Sequence, residues 1–139
     1  MTVKTKLRVV IDTNIFLSGL LNVSGAPAKL IKYFQHDLFL LVISEDILKE
    51  YINVILEFNN DVLYENAEEL FLTIMEKAII SNPTQKFDVC RDKDDNKFIE
   101  CAIAAKADYI VTKNIKHFPP KEYQGIKIVK IKDFLKAIE

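Results

Sequence analysis

The chain has 139 residues, half of them hydrophobic and 28% charged, with three glycines, four prolines and a formal net charge of −1. That composition excludes disordered and low-complexity architectures, and a core of this size needs neither a disulfide nor a structural metal. The near-neutral balance also argues against nucleic-acid binding through whole-protein charge, leaving room only for a local basic strip.

Residues 7–11 form a short apolar run rich in β-branched side chains, which predicts a strand buried on both faces and ending at Asp12-Thr13-Asn14. A short helical turn begins at Ile15-Phe16-Leu17. The Gly25-Ala26-Pro27 break then precedes a helix through Phe34. Residues 38–43 are the second strand, and Ser44 caps a helix to about Phe58 with Glu45 and Asp46 in its positive first turn. Asn59-Asn60-Asp61 turns the chain into another helix. Its Ala67, Leu70, Phe71, Ile74, Met75 and Ala78 follow the spacing of one apolar face, so the two helices predict a hairpin.

Residues 78–81 are the third strand, closed by Asn82-Pro83. Asp92 or Asp94 opens a helix through Lys106. Residues 109–112 and 126–129 are the last two strands, and residues 133–139 a closing helix. Strands alternating with helices predict a three-layer α/β fold with a mostly parallel central sheet flanked by helices, in a single domain over residues 1–139.

Charge is unevenly spread. Residues 45–76 hold nine acids and one lysine, whereas residues 113–139 hold seven lysines and three acids. The longest apolar run, residues 38–43, is only strand length, and residues 1–7 lack a signal core. A cytoplasmic protein with no membrane segment is expected. Cys90 and Cys101 lie outside any CxxC spacing and predict reduced structural thiols. With only His36 and His117 available, no His-rich zinc site can form.

Three carboxylates break the pattern of exposed charge. Asp12 ends a core strand, at the edge where open α/β sheets bind ligands, though it equally suits a helix cap. Glu50 shares a helical row with Ile47 and Val54, at an apolar margin from which it could also snorkel to water. Asp95 precedes Phe98, Ile99 and Ala102 at spacings of three, four and seven, which aligns it with a buried face. Asp92 serves as a cap or a further ligand, and a plain capping cluster is the competing account.

A parallel sheet brings these three origins to one edge. There, carboxylates about 4 Å apart repel by about 4 kcal/mol per pair at an effective dielectric near 20. A hard divalent cation removes that repulsion, and oxygen-only ligation selects Mg²⁺ or Mn²⁺ over zinc. Such an ion accepts phosphate oxygens and can acidify a bound water. Gly-rich phosphate-cradling loops are absent.

Val10-Ile11-Asp12-Thr13-Asn14, the stretch from Ser44 to Glu50, the stretch from Arg91 to Phe98, and the stretch from Ala107 to Asn114 occur in that order. Together they resemble the PIN domain, specifically its prokaryotic toxin components of toxin–antitoxin systems, similar to VapC. The resemblance implies a PIN-like fold and an Mg²⁺- or Mn²⁺-dependent endoribonuclease acting on RNA. Asp12, Glu50 and Asp95 match the family's acidic metal ligands, and Thr13, Asn14 and Thr112 fall where it places hydrogen-bonding support. It further implies a small antitoxin partner and a homodimer. One position departs: Asn114 stands where the family often has a fourth Asp, so it would ligate more weakly. Lys113 and His117 lie near enough in sequence to contact phosphate. The alternative is a weakly active or non-catalytic module that binds RNA or a partner. A phospho-acceptor domain is disfavoured for want of an acceptor Asp at another strand end.

Overall fold

The computed structural model describes residues 6–139. Along the chain run β1 (Arg8–Ile11), α1 (Thr13–Leu21), α2 (Ala26–Gln35), β2 (Leu40–Ser44), α3 (Glu45–Glu57), α4 (Asp61–Lys77), β3 (Ile79–Ser81), α5 (Asn96–Ala104), β4 (Tyr109–Val111), β5 (Glu122–Tyr123), β6 (Ile126–Val129) and α6 (Ile131–Ile138). They build one six-stranded sheet of order β3-β2-β1-β4-β6-β5, parallel throughout except for β5 against β6.

The expected architecture of a mostly parallel sheet flanked by helices holds, for reasons visible in the residues. Val9, Val10 and Ile11 on β1, and Leu41, Val42 and Ile43 on β2, are fully buried, as strands covered on both faces must be. The buried face of α5 (Phe98, Ile99, Ala102) packs on β1, β2, β3 and β4. Phe34 of α2 packs on Phe39, and Phe39 meets Phe134 of α6, which also meets Tyr109 edge-on at 5.2 Å between ring centres.

Helix α3 starts as expected: the Ser44 hydroxyl accepts the Ile47 N–H. Asn60 does the same for Leu63 at the start of α4.

Several boundaries differ from the sequence expectation. The turn expected at residues 15–17 is a full helix, α1, stabilised by packing on α2 and by Phe16 against the Tyr51 ring of α3 at 4.8 Å. Helix α5 stops at Ala104 instead of Lys106, because Lys106 adopts φ +54°, a left-handed conformation that ends a helix. Met75, counted on the apolar face of α4, is 74% exposed. Strand β5 is additional. Gln124 and Gly125, both at positive φ (49° and 86°), make the two-residue turn that joins it to β6. Among the described residues no helix is long and apolar enough to cross a membrane. Cys90 and Cys101 are free and buried, and burial pushes both thiols up to about 12.

Candidate functional site

The strand order turns back at β1: β2 and β3 lie to one side, β4 and β6 to the other. The carboxyl ends of strands at such a switch point form the ligand crevice of open α/β sheets. Asp12 stands there, directly after β1, with its N–H donating to the Val111 carbonyl of β4 at 3.0 Å. Its side chain is 6% exposed. Oδ2 accepts a hydrogen bond from Thr112 Oγ1 at 2.8 Å, and the Thr112 hydroxyl in turn accepts the Asn114 N–H at 3.0 Å.

Burial raises the Asp12 pKa, and the charge of Glu50 adds to the rise. Thr112 and the neighbouring N–H groups of Thr13 and Asn14 act the other way. Asp12 is the N-cap residue of α1, but its carboxylate makes no capping hydrogen bond there and bonds instead to Thr112.

Glu50 arrives from α3. It does not extend into water: Oε2 accepts the Thr13 hydroxyl, and Oε1 lies 2.6 Å from Lys97 Nζ of α5. The next residue, Tyr51, is buried and donates its hydroxyl to the Ile11 carbonyl, tying α3 to the end of β1 beside Asp12.

Asp95 ends a 3₁₀ turn (Lys93–Asp95) that leads into α5. Its Oδ2 lies 3.4 Å from His117 Nδ1. Burial, with the charges of Asp12 and Asp92, pushes its carboxyl up to about 6, opposed by His117. Asp92 is exposed and caps the 3₁₀ turn, accepting the Asp94 N–H at 3.0 Å, while still adding its charge to the field at Asp95.

The surrounding candidates divide. Thr13 and Thr112 are buried and bonded to the acids. Asn14 is exposed in the first turn of α1, and Asn114 is exposed at the start of a 3₁₀ turn, Ile115–His117. Lys113 donates to Ser18 Oγ.

Asp12, Glu50 and Asp95 thus share one electrostatic neighbourhood, but each is held by a different partner. Among the described residues no three His, Cys, Asp or Glu side chains stand close enough together to share one ion. The donor set nonetheless suits a hard divalent cation. It is all oxygen apart from His117, both thiols are protonated, and Asp12 and Asp95 have raised pKa values of the kind a cation would lower.

Sequence reasoning missed three contributors. Lys97 was hidden because its partner Glu50 is 47 residues away. Asn96, buried, accepts the Val89 and Cys90 N–H groups at 3.1 and 2.9 Å and anchors the loop before Asp92. Tyr51 read only as core.

A profile of the PIN domain matches residues 8–116. An uncharacterized protein of Methanocaldococcus jannaschii is 36% identical over 112 residues, spanning 75% of this chain and 69% of the relative. Among solved structures, VapBC2 from Rickettsia felis, bound to a DNA fragment from their promoter, shares the fold. The TM-score is 0.56 at 15% identity, covering 88% of this chain and 97% of that one. PIN domains are generally nucleases, and typically use divalent metals. From the profile match over most of its length and the relative at 36% identity, the chain belongs to the PIN domain family.

Proposed function

We propose that residues 1–139 act as one PIN-like domain, a cytoplasmic metal-dependent endoribonuclease and the toxin of a toxin–antitoxin pair. The observation that carries this is Asp12, buried at the switch point, with Glu50 raising its pKa and with its own charge raising that of Asp95. Binding Mg²⁺ or Mn²⁺ would draw Asp12, Glu50 and Asp95 together from their separate partners Thr112, Lys97 and His117, with Asp92 and Asn114 as weaker contributors. The ion supplies Lewis acidity toward a phosphodiester oxygen and lowers the pKa of water.

The chain's own groups do the rest. Thr112 and Thr13 fix the orientation of Asp12 and Glu50, and Asn14 lies beside them at the first turn of α1. Lys113 and His117 would contact the scissile phosphate.

Lys97 competes for the site, because its ammonium sits on the Glu50 oxygen a cation would need. Lys97→Met is therefore expected to tighten Mn²⁺ binding severalfold in a calorimetric titration, since a nearby positive charge is removed as well. Unchanged or weaker binding would contradict that role.

An antitoxin would find an apolar groove of about 340 Å³ between α3 and α4, lined by Leu48, Ile52, Leu56, Phe71 and Met75. The same exposed apolar face suits a homodimer. A non-catalytic RNA- or partner-binding module is the second reading, favoured by Asn114 and by Lys97 clamped on Glu50.

The test is cleavage of a labelled single-stranded RNA. Cleavage is expected with Mn²⁺ or Mg²⁺ and lost in chelator. At subsaturating metal, where the ion competes with the proton on Asp95, the rate should rise roughly tenfold from pH 5 to pH 7 and flatten above. In chelator, stability moves the other way. The folded-state pKa of about 6 exceeds the ordinary 3.8, so the contribution of Asp95 is full below about 4 and is lost as pH rises through about 6. Cleavage that persists in chelator contradicts the proposal. Tight RNA binding without turnover in any metal favours the second reading.

A further inference from the structure

Beside the acidic crevice lies a groove of about 680 Å³, bounded by the Ile115–His117 turn, β6 and the segment leading into β5. Its rim carries Arg91, Lys116, Lys121, Lys127 and Lys130 against a single carboxylate, Asp133. All five cations are exposed, and among the described residues none forms an ion pair. Five unneutralised cations around one depression, on a chain of net charge −1, are the concentrated field a polyanion seeks.

Lysines also guard sheet edges against mispairing. That explains Lys121 beside the edge strand β5. It does not explain Arg91, Lys116 or Lys130, which lie outside the strands.

The groove is tied to the acids at two points. Arg91 N–H donates to the His117 carbonyl at 2.8 Å, and His117 Nδ1 reaches Asp95. Val129, on the groove wall, accepts the Thr112 N–H at 3.0 Å, and the Thr112 hydroxyl holds Asp12. The groove therefore adjoins the carboxylates. Its lining is otherwise mostly apolar, with Ile115, Phe118, Pro120 and Ile128 among the cations. Unpaired bases and riboses can rest on such a surface while the phosphates meet the lysines. A duplex, with its bases stacked inside, cannot use it.

We infer that the groove rimmed by Arg91, Lys116, Lys121, Lys127 and Lys130 binds single-stranded RNA and leads it to Asp12 and Asp95. The substrate class rests on the nuclease reading, so the test reads binding separately from cleavage.

Binding of a fluorescent single-stranded RNA of about a dozen nucleotides is measured by anisotropy in chelator. The proteins compared are wild type, Lys116→Ala/Lys121→Ala/Lys127→Ala, and a control, Lys32→Ala/Lys132→Ala/Lys136→Ala, whose lysines are exposed outside the groove. Each phosphate contact on a single strand contributes about 0.7 to the slope of log affinity against log salt. The groove variant should lose about 2 in slope and bind roughly 100-fold more weakly at about 0.1 M salt, with its melting curve unchanged. The control should stay close to wild type.

Equal losses in both triple variants, no loss in the groove variant, or a preference for duplex RNA would overturn the assignment. If wild type binds through the groove but cleaves nothing in Mn²⁺ or Mg²⁺, the groove stands and the nuclease reading fails. Cleavage with the same KM in wild type and groove variant means the reverse.

Discussion

Asp12→Asn is expected to reduce metal-dependent RNA cleavage about a thousandfold or more, about 4 kcal/mol of barrier, without loosening the fold. The amide keeps the shape of the side chain and an oxygen that can still accept the Thr112 hydroxyl. What disappears is the charge. In chelator that charge is a burden, because burial and Glu50 both disfavour it. The melting temperature of the variant in chelator should therefore equal or exceed that of wild type. Rates in Mn²⁺ and thermal melts in chelator check the two halves separately. A rate within tenfold of wild type would contradict the role of Asp12. A large drop in melting temperature would show that the carboxylate is structural.

Asn96→Ala is expected to be the most damaging polar truncation near the site. The Asn96 carbonyl oxygen accepts two backbone N–H groups, from Val89 and Cys90, in a buried setting. Removing it strands both donors, at about 1–3 kcal/mol each. For a chain of this length that corresponds to roughly 10 °C in melting temperature. The loss should extend to function, since those amides position the segment that leads into Asp92 and the 3₁₀ turn carrying Asp95. Cleavage should then fall even at temperatures where the variant stays folded. A melting temperature within about two degrees of wild type would show that the loop holds itself without this anchor.

Legibility in the sequence followed periodicity. Strands β1 and β2 and helices α3, α4 and α5 stood out because burial on two faces, or on one helical stripe, imposes a pattern on neighbouring residues. Helix α1 was under-read because Thr13, Asn14, Ser18 and Gly19 are weak helix formers, and packing through Phe16 overrides their preference. Strand β5 has only two residues, too few for a period. Its one local sign was the Gln124-Gly125 turn.

At the site, Asp12 was legible as a charge ending an apolar strand. The Glu50–Lys97 pair was not, because nothing local links α3 to α5, and a pairing between distant helices leaves no trace in spacing. Asn96 was masked by the acids before it, which already supplied a reason for polarity at a helix start.

The central claim is that Asp12, Glu50 and Asp95 act together on one hard cation. It is tested most directly by titrating Mn²⁺ into the protein and following free Mn²⁺ by electron paramagnetic resonance, for wild type and for Asp12→Asn, Glu50→Gln and Asp95→Asn singly. The account predicts saturable binding by wild type that weakens at least tenfold in each variant. Wild-type binding left unchanged by all three substitutions, or no binding at millimolar Mn²⁺, would contradict it.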